Sequence, residues 1–321
     1  MSSARSGWRR VADGFGMAAA LGLLGWVAKV AFDQWQDLPA LEESIEWFPL
    51  ALGAACVGAG QLFLIRCWQR LLRFLEIRIG FRDCFGIYAV SAMGRYLPGK
   101  VFVLVGRMAF LERLGVRRRL ALQSVLCEMG MILLAAGLLS LSAWWIHSDM
   151  DAHVPSRAMG VLSAVIAVSV SAITAVRRGL SGMASFALLL IHYLLFWILF
   201  GGGFLLMGHG LTAFPWTESI FSLIYRYALV HILSVAMLFI PGGLGVREAG
   251  LQWALRGTVL EPVAGLLALL MRAVVTTFEL LYAGTGLWIQ RRSVGVVSDP
   301  ARFPSDHAAA FSGLSADGGD R

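Results

Sequence analysis

Charge is what this sequence has least of. Asp, Glu, Lys and Arg make up 15% of its 321 residues and hydrophobic residues 58%, whereas soluble domains carry about a quarter charged residues. With a mean hydropathy of +0.72, that shortage excludes a soluble protein. The length leaves room for several spans of about 20 residues but not for a large soluble domain as well. The cysteines are also few: Cys56, Cys67, Cys84 and Cys127 have no CxxC spacing and lie within or beside apolar runs. A disulfide framework or zinc site is therefore not expected, and all four read as small buried hydrophobes. His147 and His153, beside Asp149 and Asp151, give at best a weak metal site, so neither metal nor cofactor is expected. A Walker motif is missing too. The glycines of "GGGF" at 201–204 have no strand context and indicate close helix packing rather than nucleotide binding. No His, Asp and Ser constellation gathers at a predicted interface, which weighs against an enzyme. The net charge of +7 comes from Lys and Arg in short blocks between apolar runs, which orient a membrane protein rather than bind nucleic acid.

What is present is a series of apolar runs at about 15–32, 48–66, 120–145, 158–176, 184–208 and 262–289, read as six full spans. Arg5, Arg9 and Arg10 put the N-terminus in the cytoplasm, and the acidic stretch from Asp33 to Glu46 suits the outside. No small-residue cleavage pattern follows the basic N-terminus, so the first run is expected to stay as a span, with Lys29 snorkelling to its outer edge. Two further apolar regions, 83–111 and 220–256, each begin and end on one side of the membrane by the same rule. Each carries a Pro-Gly break, "YLPGK" and "FIPGGLG". A segment that leaves and returns within such a length dips in and climbs out as a helical hairpin, broken where proline removes a donor and glycine allows reversal.

The fold expected is therefore an all-α polytopic membrane protein: about six transmembrane helices plus two re-entrant broken hairpins in an inverted repeat. Residues 1–13 form a cytoplasmic tail, 14–292 the membrane domain with repeats at about 14–146 and 157–292, and 293–321 a disordered cytoplasmic tail too polar to fold. Discontinuous helices meeting at a central site are a transporter layout.

Ionisable residues inside apolar runs face a cavity or a partner, since insertion costs about 2.5 to 3.5 kcal/mol each. The candidate substrate-binding residues are Arg95, Lys100, Arg107, Glu128, Arg247, Glu248 and Arg272, with Pro98, Gly99, Pro241, Gly242 and Gly243 as the structural breaks. Arg226, His231 and Glu279 are also interior; Arg226 and His231 read as polar glue between helices. A half-helix after a Pro-Gly break points free amides and a positive dipole end at mid-membrane, where phosphate fits. Other readings stay open: Arg95, Lys100 and Arg107 snorkel from a shallow hairpin, Glu128 and Arg272 form one structural ion pair or serve substrate or proton relay, and Arg247 and Glu248 pair with each other or cap their helix.

"GRYLPGKVF", the following "GRMAFLERLGV", Glu128 in the next span and "FIPGGLGVREAG" together resemble the lysylphosphatidylglycerol synthase transmembrane family, also called flippase-like domain proteins. The resemblance covers nearly the whole membrane region. It implies a lipid translocase of the bacterial cytoplasmic membrane, multi-pass with both termini cytoplasmic, that moves an anionic phospholipid, aminoacyl-lipid, hopanoid or polyprenol-linked lipid between leaflets. After Arg292 only a polar tail remains, so the synthase half of the two-part members is not expected, nor is lysyl transfer. Two rival readings are a membrane-embedded transferase or hydrolase using Glu128 or Glu248 as base, and a non-catalytic partner of a separate lipid or glycan synthase. The partners implied are lipids with anionic headgroups.

Overall fold

The computed structural model describes residues 45–96, 101–146, 179–211, 220–236, 246–256, 258–259 and 261–294. Among them every regular element is helical: α1 Trp47–Phe74, α2 Phe81–Ala92 running into a 3₁₀ turn at Met93–Tyr96, α3 Val101–Arg113, α4 Arg118–Ile146, α5 Gly179–Gly210, α6 Ile220–Ala236, α7 Val246–Ala254 and α8 Glu261–Val294. Four of these, α1, α4, α5 and α8, are long and apolar enough to cross a membrane. They fall on four of the six expected spans; the runs at 15–32 and 158–176 lie outside the described residues, as do the expected N-terminal tail and residues 295–321 of the C-terminal one, whose first two residues, Ser293 and Val294, instead end α8.

Helix α1 runs further than its charges suggest. Arg66, Arg70 and Arg73 recur at i, i+4 and i+7 and stay exposed, while Ile65, Cys67, Trp68, Leu71 and Leu72 on the other faces are buried. Basic residues confined to one stripe do not end a helix. What ends it is a turn in which Ile77 N–H bonds Leu72 O at 2.8 Å and Glu76 takes φ 67°, a left-handed position usually given to glycine. The same closure ends α3, where Val116 N–H bonds Leu111 O at 3.1 Å and glycine does occupy the turn, Gly115 at φ 81°.

Both regions read as hairpins are pairs of short helices folded back on themselves. In the first, Gly94 of the 3₁₀ turn lies so close to α3 that a Cβ there would meet Phe102 C at 2.7 Å, and Arg107 of α3 reaches Ser91 of α2. In the second, Arg247 of α7 reaches Ser234 of α6, and Arg226 near the start of α6 donates to the Ala254 carbonyl at the end of α7. That bond explains Arg226, whose place the sequence left as polar glue: it caps α7. At 1.5 Å per residue the 13 residues of α3 and 9 of α7 reach about 20 and 14 Å, short of a hydrocarbon core of about 30 Å. The Pro-Gly breaks themselves, Pro98, Gly99, Pro241, Gly242 and Gly243, lie outside the described residues.

Helices α1 and α5 pack along most of their length, antiparallel: Leu50 meets Gly210, Gly53 meets Gly203 and Met207, and Gly60 meets Phe200. Glycine is required at this crossing, since a Cβ on Gly53 would stand 2.6 Å from the Gly203 carbonyl oxygen. The triple glycine works as expected for packing. Gly203 admits α1, Gly201 admits Ile224 of α6, and Gly202 between them meets nothing within 4 Å.

The remaining contacts repeat. Exchanging α1 with α5, α2 with α6, α3 with α7 and α4 with α8 maps the contact pattern onto itself: α2 packs on α8 as α6 packs on α4, and α3 on α4 as α7 on α8. Each hairpin thus leans on the last long helix of the other set.

Candidate functional site

The first hairpin builds a closed ion pair. Arg107 on α3 projects between α2 and α4, where its Nε donates to Ser91 Oγ at 3.2 Å, its guanidinium lies 3.7 Å from the Tyr88 ring centroid, and it pairs with Glu128. The two side chains are 4% and 3% exposed. Arg107 therefore does not snorkel, and the partner of Glu128 is Arg107 rather than Arg272. The sequence could not show this choice, because the contact depends on which faces of α3 and α4 meet.

The second hairpin builds an open cleft. Its walls come from α6, α7, α8 and the 3₁₀ turn that precedes the first break, so both hairpins contribute. On one wall Arg95 forms an ion pair with Glu279, and Tyr96 donates its hydroxyl proton to the other Glu279 oxygen at 2.5 Å while its oxygen accepts from the Thr276 hydroxyl at 3.3 Å. Glu279 is 6% exposed but the Arg95 side chain 31%, so the cation keeps an open side. Arg272, Thr276 and Glu279 stand at i, i+4 and i+7 of α8 and share one face. On the opposite wall Arg247 donates from Nε to Ser234 Oγ at 3.2 Å and from Nη2 to His231 Nδ1 at 3.2 Å. The His231 ring meets Trp197 of α5 edge to face, centroids 5.2 Å apart.

Of the residues picked out in the sequence, the structure brings Arg95, Arg247 and Arg272 to this cleft. Arg107 and Glu128 are together elsewhere, Glu248 takes the position after Arg247 on α7, and Lys100 lies outside the described residues. Tyr96, Thr276 and Ser234 were not singled out. Glu279 was noticed as interior but not placed in the site. A signal for part of this was present. Tyr88-x-x-Ser91 stands seven residues before Pro98, and His231-x-x-Ser234 seven before Pro241; in both hairpins this aromatic and serine receive an arginine from the returning arm.

Cys67, Cys84 and Cys127 are buried and Cys56 half-buried, all as free thiols. Among the described residues no three His, Cys, Asp or Glu side chains converge. Three arginines against one carboxylate leave the cleft's described lining cationic, suited to a phosphate-bearing group by charge-assisted hydrogen bonds.

A family model described as "Lysylphosphatidylglycerol synthase TM region" matches residues 14–283. No curated protein matches the chain.

Proposed function

We propose a function for a chain that belongs to the lysylphosphatidylglycerol synthase transmembrane family: it is a lipid translocase that takes an anionic headgroup into the cleft between its two hairpins and passes the lipid between leaflets. The observation that carries this reading is the cleft itself, where Arg95, Arg247 and Arg272 from three separate elements line one space with Glu279 as the one carboxylate among the described lining residues. The acyl chains remain in the bilayer, so the protein needs to shelter only the charged end. Arg247 and Arg272 hold the phosphate, and Arg95 joins them by exchanging Glu279 for the ligand.

The glycine-to-glycine contact of α1 and α5 supplies a fixed frame, while the short hairpins, each resting on the far set's long helix, carry the walls that move. The anionic lipid classes named by resemblance remain the candidates, in a bacterial cytoplasmic membrane with both termini inside. No chemical step is assigned to the chain.

The test is leaflet exchange of a fluorescent anionic phospholipid in proteoliposomes. Losing a hydrogen bond to a charged group costs about 1.5 to 3 kcal/mol, so Arg247→Ala and Arg272→Ala are each expected to slow exchange about ten- to hundredfold. Exchange at the unaltered rate in both, with folding intact, would remove the cleft from the transport path.

A further inference from the structure

Among the described residues lining the cleft one is a histidine, His231, the side chain whose ordinary charge change lies closest to neutral pH, and its bonding is specific. Arginine has five N–H donors and no acceptor. With Arg247 Nη2 at 3.2 Å from His231 Nδ1, Nδ1 must accept, which fixes His231 as the neutral tautomer carrying its proton on Nε2. A proton on Nδ1 would set N–H against N–H and one cation against another at that distance. The ring cannot turn away freely, because Trp197 holds it edge to face. The present pose of Arg247 and a charged His231 therefore exclude each other.

An anion changes this balance. A phosphate that draws Arg247 off Nδ1 leaves that nitrogen open to a proton, and its negative charge favours the imidazolium that results. Among the described residues the other ionisable groups lining the same space are Arg95, Tyr96, Arg272 and Glu279, with Tyr227 on α6 itself. Glu279 is held by Arg95 and Tyr96. Helix α5 faces His231 with the uncharged Trp197 ring, and the one carboxylate of α4, Glu128, is engaged by Arg107. The first hairpin makes the contrast, since Tyr88 stands ten residues before Pro98 as His231 stands ten before Pro241. The arginine over Tyr88 is met by a ring that has no basic nitrogen, and that site is closed by a carboxylate.

We propose that His231 couples the cleft to protons: binding of an anionic headgroup at Arg247 takes up one proton from solvent onto His231 Nδ1. The balance is simple: the N–H bond formed on Nδ1 is matched by the O–H or N–H bond that hydronium or the buffer acid gives up, and no other bond changes. A phosphodiester headgroup with one negative charge and the proton would then move as a neutral set. His231 is a positioning residue for Arg247 as well as the proton's carrier, and the inference rests on the anionic-headgroup reading given above.

Calorimetric titration of the detergent-solubilised full chain with short-chain phosphatidylglycerol, repeated in buffers of different ionisation heat near pH 7, tests it. A phosphodiester keeps its charge across this range, so any buffer-dependent heat belongs to the protein. The expected result is net uptake of a large fraction of one proton per lipid. His231→Asn, whose amide oxygen still accepts from Arg247 but cannot titrate, is expected to bind the lipid more weakly near pH 7 and with uptake abolished. Binding without buffer dependence in the wild type, or uptake that persists in His231→Asn, overturns the proton role and leaves the headgroup reading standing. If His231→Asn does not fold, the wild-type buffer series alone decides. No binding of the lipid at all overturns both. Sulfate, a free anion that does not titrate here, is expected to give no comparable heat; sulfate binding as tight as the lipid's would reassign the site to free anions and defeat the lipid coupling.

Discussion

Arg107 and Glu128 are the deepest charges described in the molecule, and their partnership is closed to solvent. Removing one member of a buried pair leaves the other uncompensated, at about 3 to 5 kcal/mol. Glu128→Ala is thus expected to lower the thermal unfolding temperature of purified protein sharply, while replacing both members by apolar residues, Arg107→Met with Glu128→Leu, restores most of it. A Glu128→Ala variant as stable as wild type would show that the pair is not structural. The sequence marked both residues as interior because each interrupts an apolar run. It did not pair them, since the alternative partner Arg272 is as well placed in the linear pattern and only the rotation of α3 against α4 decides. Arg247 was legible for the same reason as Arg107; its partner His231 was not, because a lone histidine on an apolar helix carries no directional signal.

At the scale of elements, the legible part was large. Apolar runs with basic flanks located four long helices within a few residues at most ends, and the two Pro-Gly breaks located both hairpins. Helix α1 was read eight residues short, because three arginines look like an end until their spacing shows them on one stripe. Close packing of α1 on α5 was only hinted at by small residues. A Cβ on Gly53 would meet Gly203 backbone, which cannot turn aside as a side chain would, whereas one on Gly202 meets nothing. Overpacking of this kind costs about 1 to 3 kcal/mol. Gly53→Ala is expected to lower the unfolding midpoint and Gly202→Ala to leave it within the effect of helix propensity, about 1 kcal/mol. Equal effects of the two would mean that α1 and α5 do not meet backbone to backbone.

Across the described molecule, matched contacts and a cationic cleft are the two facts that bear on function. The helices repeat their packing from one set to the other, and both hairpins hold an arginine between an aromatic residue and a serine. The first of these sites is filled by the protein's own carboxylate; the second opens onto a cleft that also gathers Arg95 and Arg272. The repeat was visible in the order of spans and hairpins, while the difference between its two sites depended on a contact 21 residues apart within the first set and one 184 residues apart between the two sets. The most direct measurement is a structure of the protein in nanodiscs containing phosphatidylglycerol. The account predicts headgroup density in the cleft with its phosphate in hydrogen-bond reach of Arg247 and Arg272. A cleft filled by side chains, with ordered headgroups found only on the lipid-facing surface, would contradict it.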